Sequence, residues 1–287
     1  MLKLRKNTTV LVPVGLHLRG NEMDVLWFDQ DRQTHTFILP PEQTAGLEER
    51  INADVSHYLR HNAFTLRWIG NIAPVQIWSK SMVLPAVLSQ SECEQQCRYT
   101  LQHELPVQLD EVWFDYCAYA LKQGMRLDIF AVVETVVQEH LNRFRPVRLD
   151  VLDNAVHSML RAFTFLRGEE SHEQHADDTL FLYRDEQFAL AVKNTTHKLL
   201  SLQRTSLKLT ELFHQFCSHY AEVPAHCVAY SRVPHEEYLP SWRRVETELP
   251  LLALGAALWQ CERRNEKTQK DNTALFRSRT VENEGVA

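Results

Sequence analysis

Six residues near the amino terminus, Gly15-Leu16-His17-Leu18-Arg19-Gly20, carry the two-glycine spacing of a phosphate-binding loop. A P-loop needs a following Lys-Ser/Thr pair, the lysine for phosphate charge and the hydroxyl for magnesium. Asn21-Glu22 stands there instead, which rules that motif out. Other ligand-bearing residues are placed less favourably. Cys93 and Cys97 lie one helical turn apart, but Leu101 continues their stripe, so packing explains them better than a metal. His172, Glu173, His175, Asp177 and Asp178 gather metal-ligand types in a wholly polar stretch, where the rigid surroundings that orient ligands are hard to build. A metal-dependent hydrolase using them is the least favoured reading. His214 and His219 are five apart, on different sides of a helix. There is no G-x-S-x-G elbow, and no nucleophile is spaced with a base. The residue types nominate no catalytic group and no metal site.

Composition points the same way. Only 8 of 287 residues are glycine, against an average near 7%, which leaves little material for glycine-rich nucleotide loops. The formal net charge of -6 gives no overall positive field, so direct nucleic-acid binding is not expected. Lys3, Arg5 and Lys6 before the apolar run Val10 to Leu18 imitate a signal peptide, but Pro13, Gly15 and His17 interrupt the run and no small-x-small site follows. It reads as a buried strand. No stretch reaches the ~20 apolar residues of a membrane span. The six cysteines form no short-range disulfide framework, so a cytoplasmic location is expected.

The elements that must position these residues alternate in type. Val10 to Leu18, Val25 to Phe28 and Thr34 to Leu39 read as an antiparallel meander. A helix begun near Pro40-Pro41-Glu42 carries Leu47, Ile51, Val55 and Tyr58 on one face. Strands are expected at Phe64 to Ile69 and Val75 to Trp78, then a helix with Ser89 and Glu92 at capping-box spacing. Val112 to Tyr119 is a further strand. Leu127 to Val133, almost wholly apolar, reads as a central strand covered on both faces. After another helix, a strand at Val147 to Val151 leads to Asp153 as a helix N-cap. Gly168 to Asp178 is polar throughout and reads as a linker. Beyond it come strands at Leu180 to Tyr183, Phe188 to Val192 and Leu199 to Leu202, a helix with Leu209, Leu212, Phe213, Phe216 and Tyr220 on one stripe, and a short strand at Cys227 to Tyr230. A closing helix, Leu249 to Cys261, holds Leu252-Ala253-Leu254-Gly255-Ala256-Ala257-Leu258 and should dock back on the core.

Taken in order, several motifs resemble one family. Leu84-Pro85, Ser89-Gln-Ser-Glu92, His103-Glu104-Leu105-Pro106, Leu109 and Asp115-Tyr116 follow the Leu-Pro, Ser-x-x-Glu, Glu-x-x-Pro and Asp-Tyr series of the PilM family, actin-like type IV pilus assembly proteins. Asp128 to Val132, Val151-Leu152-Asp153 with Leu160-Arg161-Ala162, and the closing small-residue helix add to the likeness. It covers about residues 10 to 262 and is similar to the short competence protein A and HofM-like branch.

The resemblance implies an α/β, duplicated actin-like ATPase fold with a reduced second half. The first half spans residues 1–167, with a small α/β subdomain inserted at about 75–121. A linker at 168–178, a second half at 179–262 and a disordered tail at 263–287 follow. It also implies a phosphate loop of the form Gly-x-Asp-x-Gly-Ser where this chain has Gly15, His17, Arg19 and Gly20. His17 replaces the magnesium-organising carboxylate and Arg19 a glycine, and both changes oppose nucleotide binding. The Asp-x-Gly sought near Leu182-Tyr183-Arg184 and the Gly-Gly sought after Tyr230 are missing. The expected function is a non-enzymatic cytoplasmic adaptor of a pilus or DNA-uptake machine, with no cofactor. Its expected partner is the cytoplasmic amino-terminal peptide of a PilN-like bitopic inner-membrane protein, with pilus motor ATPases as a further partner. The membrane is reached only through that partner. The alternative is an active actin-like ATPase that binds ATP and magnesium through diverged loops.

Overall fold

A computed structural model of the chain describes residues 9–40, 43, 45–59, 63–168 and 176–259. The meander forms as its apolar spacing predicts: β1 (Val10–Arg19), β2 (Glu22–Phe28) and β3 (Thr34–Leu39) pair antiparallel. After α1 (Leu47–Leu59), β4 (Phe64–Ile72) returns parallel to β1, and β8 (Val151–Asn154) pairs parallel to β4. The sheet order is β3-β2-β1-β4-β8. Leu47, Ile51 and Val55 of α1 are buried against its outer face.

Between β4 and β8 lies an inserted three-stranded antiparallel sheet, β5 (Trp78–Leu84), β6 (Val112–Ala120) and β7 (Met125–Val133), in the order β5-β7-β6. Helix α2 (Gln90–Glu104) covers one face with Cys93, Cys97 and Leu101. Its capping box forms as its sequence predicts, with Ser89 and Glu92 satisfying each other's backbone N–H groups. Two expectations change here. Val75 to Trp78 is not a strand: Pro74–Gln76 makes one 3-10 turn with Val75 exposed, and the strand starts at Trp78. Leu127 to Val133 is a buried central strand, but of the inserted sheet, so that sheet runs past residue 121 to Val133. α3 (Glu134–Asn142) then leads back to the first sheet.

A second sheet repeats the order of the first. β9 (Thr179–Arg184), β10 (Ala189–Asn194) and β11 (Leu199–Arg204) form an antiparallel meander. α5 (Leu209–Tyr220) packs on its outer face, β12 (His226–Ser231) returns parallel to β9, and β13 (Arg243–Arg244) completes β11-β10-β9-β12-β13. Both sheets therefore read 3-2-1-4-5, and among the described residues only the first carries an inserted sheet.

Two helices fill the space between the sheets: α4 (Ala155–Arg167) and α6 (Leu251–Ala257). Met159 and Phe163 of α4 and Leu251 to Leu254 of α6 share one core with Phe181, Leu190 and Val228 of the second sheet and Leu26 of the first. The layers run α1, first sheet, α4 with α6, second sheet, α5. The residue capping α4 is Asn154, which accepts from Val156 N at 2.9 Å, not the expected Asp153. Asp153 is buried instead, paired with Arg161. Most of the expected linker (169–175) and the 263–287 tail lie outside the described residues.

Candidate functional site

The β1–β2 and β9–β10 turns project from their two sheets toward each other. The register of β1 against β2, Gly15 to Leu26 and His17 to Asp24, places alternate side chains on the face toward the second lobe. His17 Nε2 lies 3.3 Å from Asp185 Oδ2, and both residues are buried. Arg19 Nη1 lies 3.1 Å from Glu186 Oε2, and its Nε lies 3.5 Å from Asp24 Oδ2. From the end of β12, Arg232 Nη1 reaches both Asp24 oxygens at 3.2 and 3.1 Å. In the amide orientation that satisfies both its ends, Gln187 donates to Leu18 O at 3.2 Å and accepts from Gly20 N at 2.5 Å.

Asp185 is the hub of this contact. Besides His17 it accepts from the Tyr183 hydroxyl at 2.8 Å and from the backbone N–H groups of Gln187 and Phe188 at 2.8 and 2.9 Å. Burial alone would raise its carboxyl, but His17, the Phe188 N–H and Tyr183 outweigh that and hold it below the usual carboxylate range. Burial together with Asp185 pushes the Tyr183 phenol well up, which keeps it a donor. Burial also opposes the Arg19 charge, but Asp24 and Glu186 more than offset it.

Of the four positions singled out in the first loop, the structure brings His17 and Arg19 into this contact, and Gly20 sits in the turn at φ +58. Gly15 is elsewhere. It lies inside β1, and a Cβ there would come 2.5 Å from Ala257 N and closer still to the Ala253 carbonyl. Its glycine serves the close approach of α6. Asp24, Asp185, Glu186, Gln187 and Arg232 were not visible as site residues. The one signal that could have found Asp185 is the repeated sheet order, which sets the β9–β10 turn opposite the β1–β2 turn.

Nucleotide binding in a fold of this type asks for open backbone N–H groups at a glycine turn and a carboxylate free to hold the metal's water. Here the N–H groups of Gly20, Gln187 and Phe188 have side-chain acceptors. The carboxylates of Asp24 and Asp185 hold arginine, histidine and tyrosine donors. In this arrangement the groups a magnesium triphosphate would need are already paired with one another.

The thiols of Cys93 and Cys97 are buried, and burial with the neighbouring Cys93 pushes Cys97 up to about 12, as suits a packing residue. Among the described residues no group of three His, Cys, Asp or Glu could hold a metal ion. His172, Glu173 and His175 lie outside them. No described helix is long and apolar enough to cross a membrane.

No family model and no curated protein matches the sequence. Solved structures do. The cytoplasmic domain of EpsL, an inner membrane component of the type II secretion system of Vibrio cholerae, is 14% identical, covers 91% of this chain and 96% of its own, and gives a TM-score of 0.52. The PilM-PilN type IV pilus biogenesis complex is 14% identical over 88% of this chain and 98% of its own, with a TM-score of 0.55. With the repeated 3-2-1-4-5 sheets, these similarities define the class: the chain has an actin-like ATPase fold.

Proposed function

We propose that this chain is a nucleotide-independent, non-enzymatic adaptor of a type IV pilus or DNA-uptake machine, of the PilM kind and its competence protein A and HofM-like branch. It sits in the cytoplasm and reaches the inner membrane by binding the amino-terminal cytoplasmic peptide of a PilN-like bitopic protein. Pilus motor ATPases are its second class of partner. The observation that carries the reading is the contact of the two hairpin ends through His17, Arg19 and Gln187, at the turn where the family resemblance sets the first phosphate loop. The motif series from Leu84 to Tyr116 and the fold shared with a PilM-PilN complex structure support the partner.

An extended peptide is recognised by adding to a strand edge, with apolar anchors in adjacent pockets. The inserted sheet offers edges of this sort, since β5 and β6 each pair only with β7 among the described residues. Val83 and Val87 are exposed at the end of β5 and just beyond it. Titrating the purified protein with a synthetic peptide from the cytoplasmic start of the PilN-like protein should give saturable binding at 1:1 stoichiometry. A flat titration would remove the partner from the proposal.

A further inference from the structure

The strand β10 is gripped at both ends, by two different parts of the chain. At its start, residues 185–187 meet the β1–β2 hairpin through His17, Arg19 and the Gln187 amide. At its finish, the inserted sheet takes hold. Arg126 of β7 donates to the Thr195 carbonyl and, at 3.1 Å, to Asn194 Oδ1. Its guanidinium is fixed from behind by Asp128 at 2.9 Å and by the Tyr119 ring, 4.2 Å from its centroid. Alongside, Leu199 N donates to Ser81 Oγ at 3.2 Å, and Val75 N donates to Gln203 Oε1 at 3.0 Å.

The geometry points to a two-ended polar latch that keeps the second lobe closed on the first lobe and on the inserted sheet without any ligand. Apart from the bonds of Asn71 and Arg161 to α6, the middle of the lobe contact is apolar, through α4 and α6, and apolar contact, being non-directional, tolerates small displacements. Buried charged groups with several partners do not, because a displaced partner leaves a desolvated donor or acceptor. The latch therefore sets the angle between the lobes, while the helices supply cohesion. It joins the inserted sheet and the second lobe into one body, so force or binding at the inserted sheet is felt at the second lobe without a nucleotide step. This inference concerns the lobes alone and stands whether or not the partner reading holds.

Each end can be released separately. Glu186→Arg sets a like charge against Arg19 on a half-exposed residue, so folding is not at stake. Arg126→Met with Asp128→Asn removes both buried charges together, which leaves neither unpaired. Hydrogen exchange and small-angle scattering are read on the full chain. Each variant should speed amide exchange at its own end of β10 by about tenfold or more, as loss of charge-assisted bonds implies, with the far end unchanged. Combining the two should raise the radius of gyration while far-UV circular dichroism stays native. Wild-type exchange in both variants would overturn the latch. So would a combined variant whose radius of gyration stays at the wild-type value. If the buried pair fails to fold, Glu186→Arg alone still decides the first end, and Asn194→Ala decides the second.

Discussion

Gly255→Ala is expected to cost about 3 kcal/mol or more, at the upper end of overpacking penalties, and to lower the melting temperature by roughly 10 °C. A Cβ at Gly255 would lie 2.8 Å from Ser158 Cα and nearer still to the Ser158 carbonyl, all of it helix backbone that cannot turn aside. Helices α4 and α6 touch where Gly255 faces the Ser158 backbone, and that closeness lets both fit between the two sheets. The Gly255 carbonyl also accepts from Arg161 Nε at 2.8 Å, so separating the helices would break that bond too. Gly15→Ala should behave similarly, since α6 lies as close to β1. Gly20→Ala is the contrast: the turn has open space around it, and only its positive φ costs, about 1 kcal/mol. Thermal unfolding of the three variants checks this, and equal melting temperatures for Gly255→Ala and Gly20→Ala would refute the packing account.

The second large effect belongs to the polar cluster beneath the site. Arg161 and Asp153 are a buried pair, with the Ser158 hydroxyl between Asp153 and Asn71. Asn71 Nδ2 donates to Leu16 O at 3.2 Å and Leu252 O at 3.0 Å, while His140 Nε2 lies 2.7 Å from Asn71 O. The cluster joins β1, β4, α3, β8, α4 and α6. Arg161→Met should cost about 3–5 kcal/mol, because Asp153 is left as a buried charge without its cation. Adding Asp153→Asn to that variant should recover much of the loss, since the uncompensated charge is then gone. Urea unfolding of the two variants checks the pair; a single variant within about 1 kcal/mol of wild type would show the charge to be solvated.

What could be read from the sequence was local. The β1–β3 meander follows from alternating apolar runs and a polar turn, and the α2 capping box follows from Ser89 and Glu92 alone. What could not be read depends on distant partners. Leu127 to Val133 has the pattern of a central strand, but no pattern says which sheet it is central to; β5 and β6 decide that. Gly15 looked like part of a phosphate loop because two glycines five apart are a loop signal, whereas its reason is a helix that arrives from the other end of the chain. His17 and Asp185 are 168 positions apart, and Asp24 and Arg232 are 208 apart. Their types were plain, but their meeting follows only once the second sheet repeats the first. Asp153 was expected as an N-cap because aspartate suits that position, yet Asn154 beside it suits it as well and leaves Asp153 to Arg161.

The central claim is that side chains, not nucleotide, hold the two hairpin ends together. Titration of the purified chain with magnesium-ATP by calorimetry, with thermal unfolding in parallel, tests it most directly. The account predicts no saturable heat and a melting temperature unmoved by nucleotide. Saturable binding would contradict it, and so would thermal stabilisation, which for a true ligand at about a hundred times its Kd amounts to about 2.7 kcal/mol.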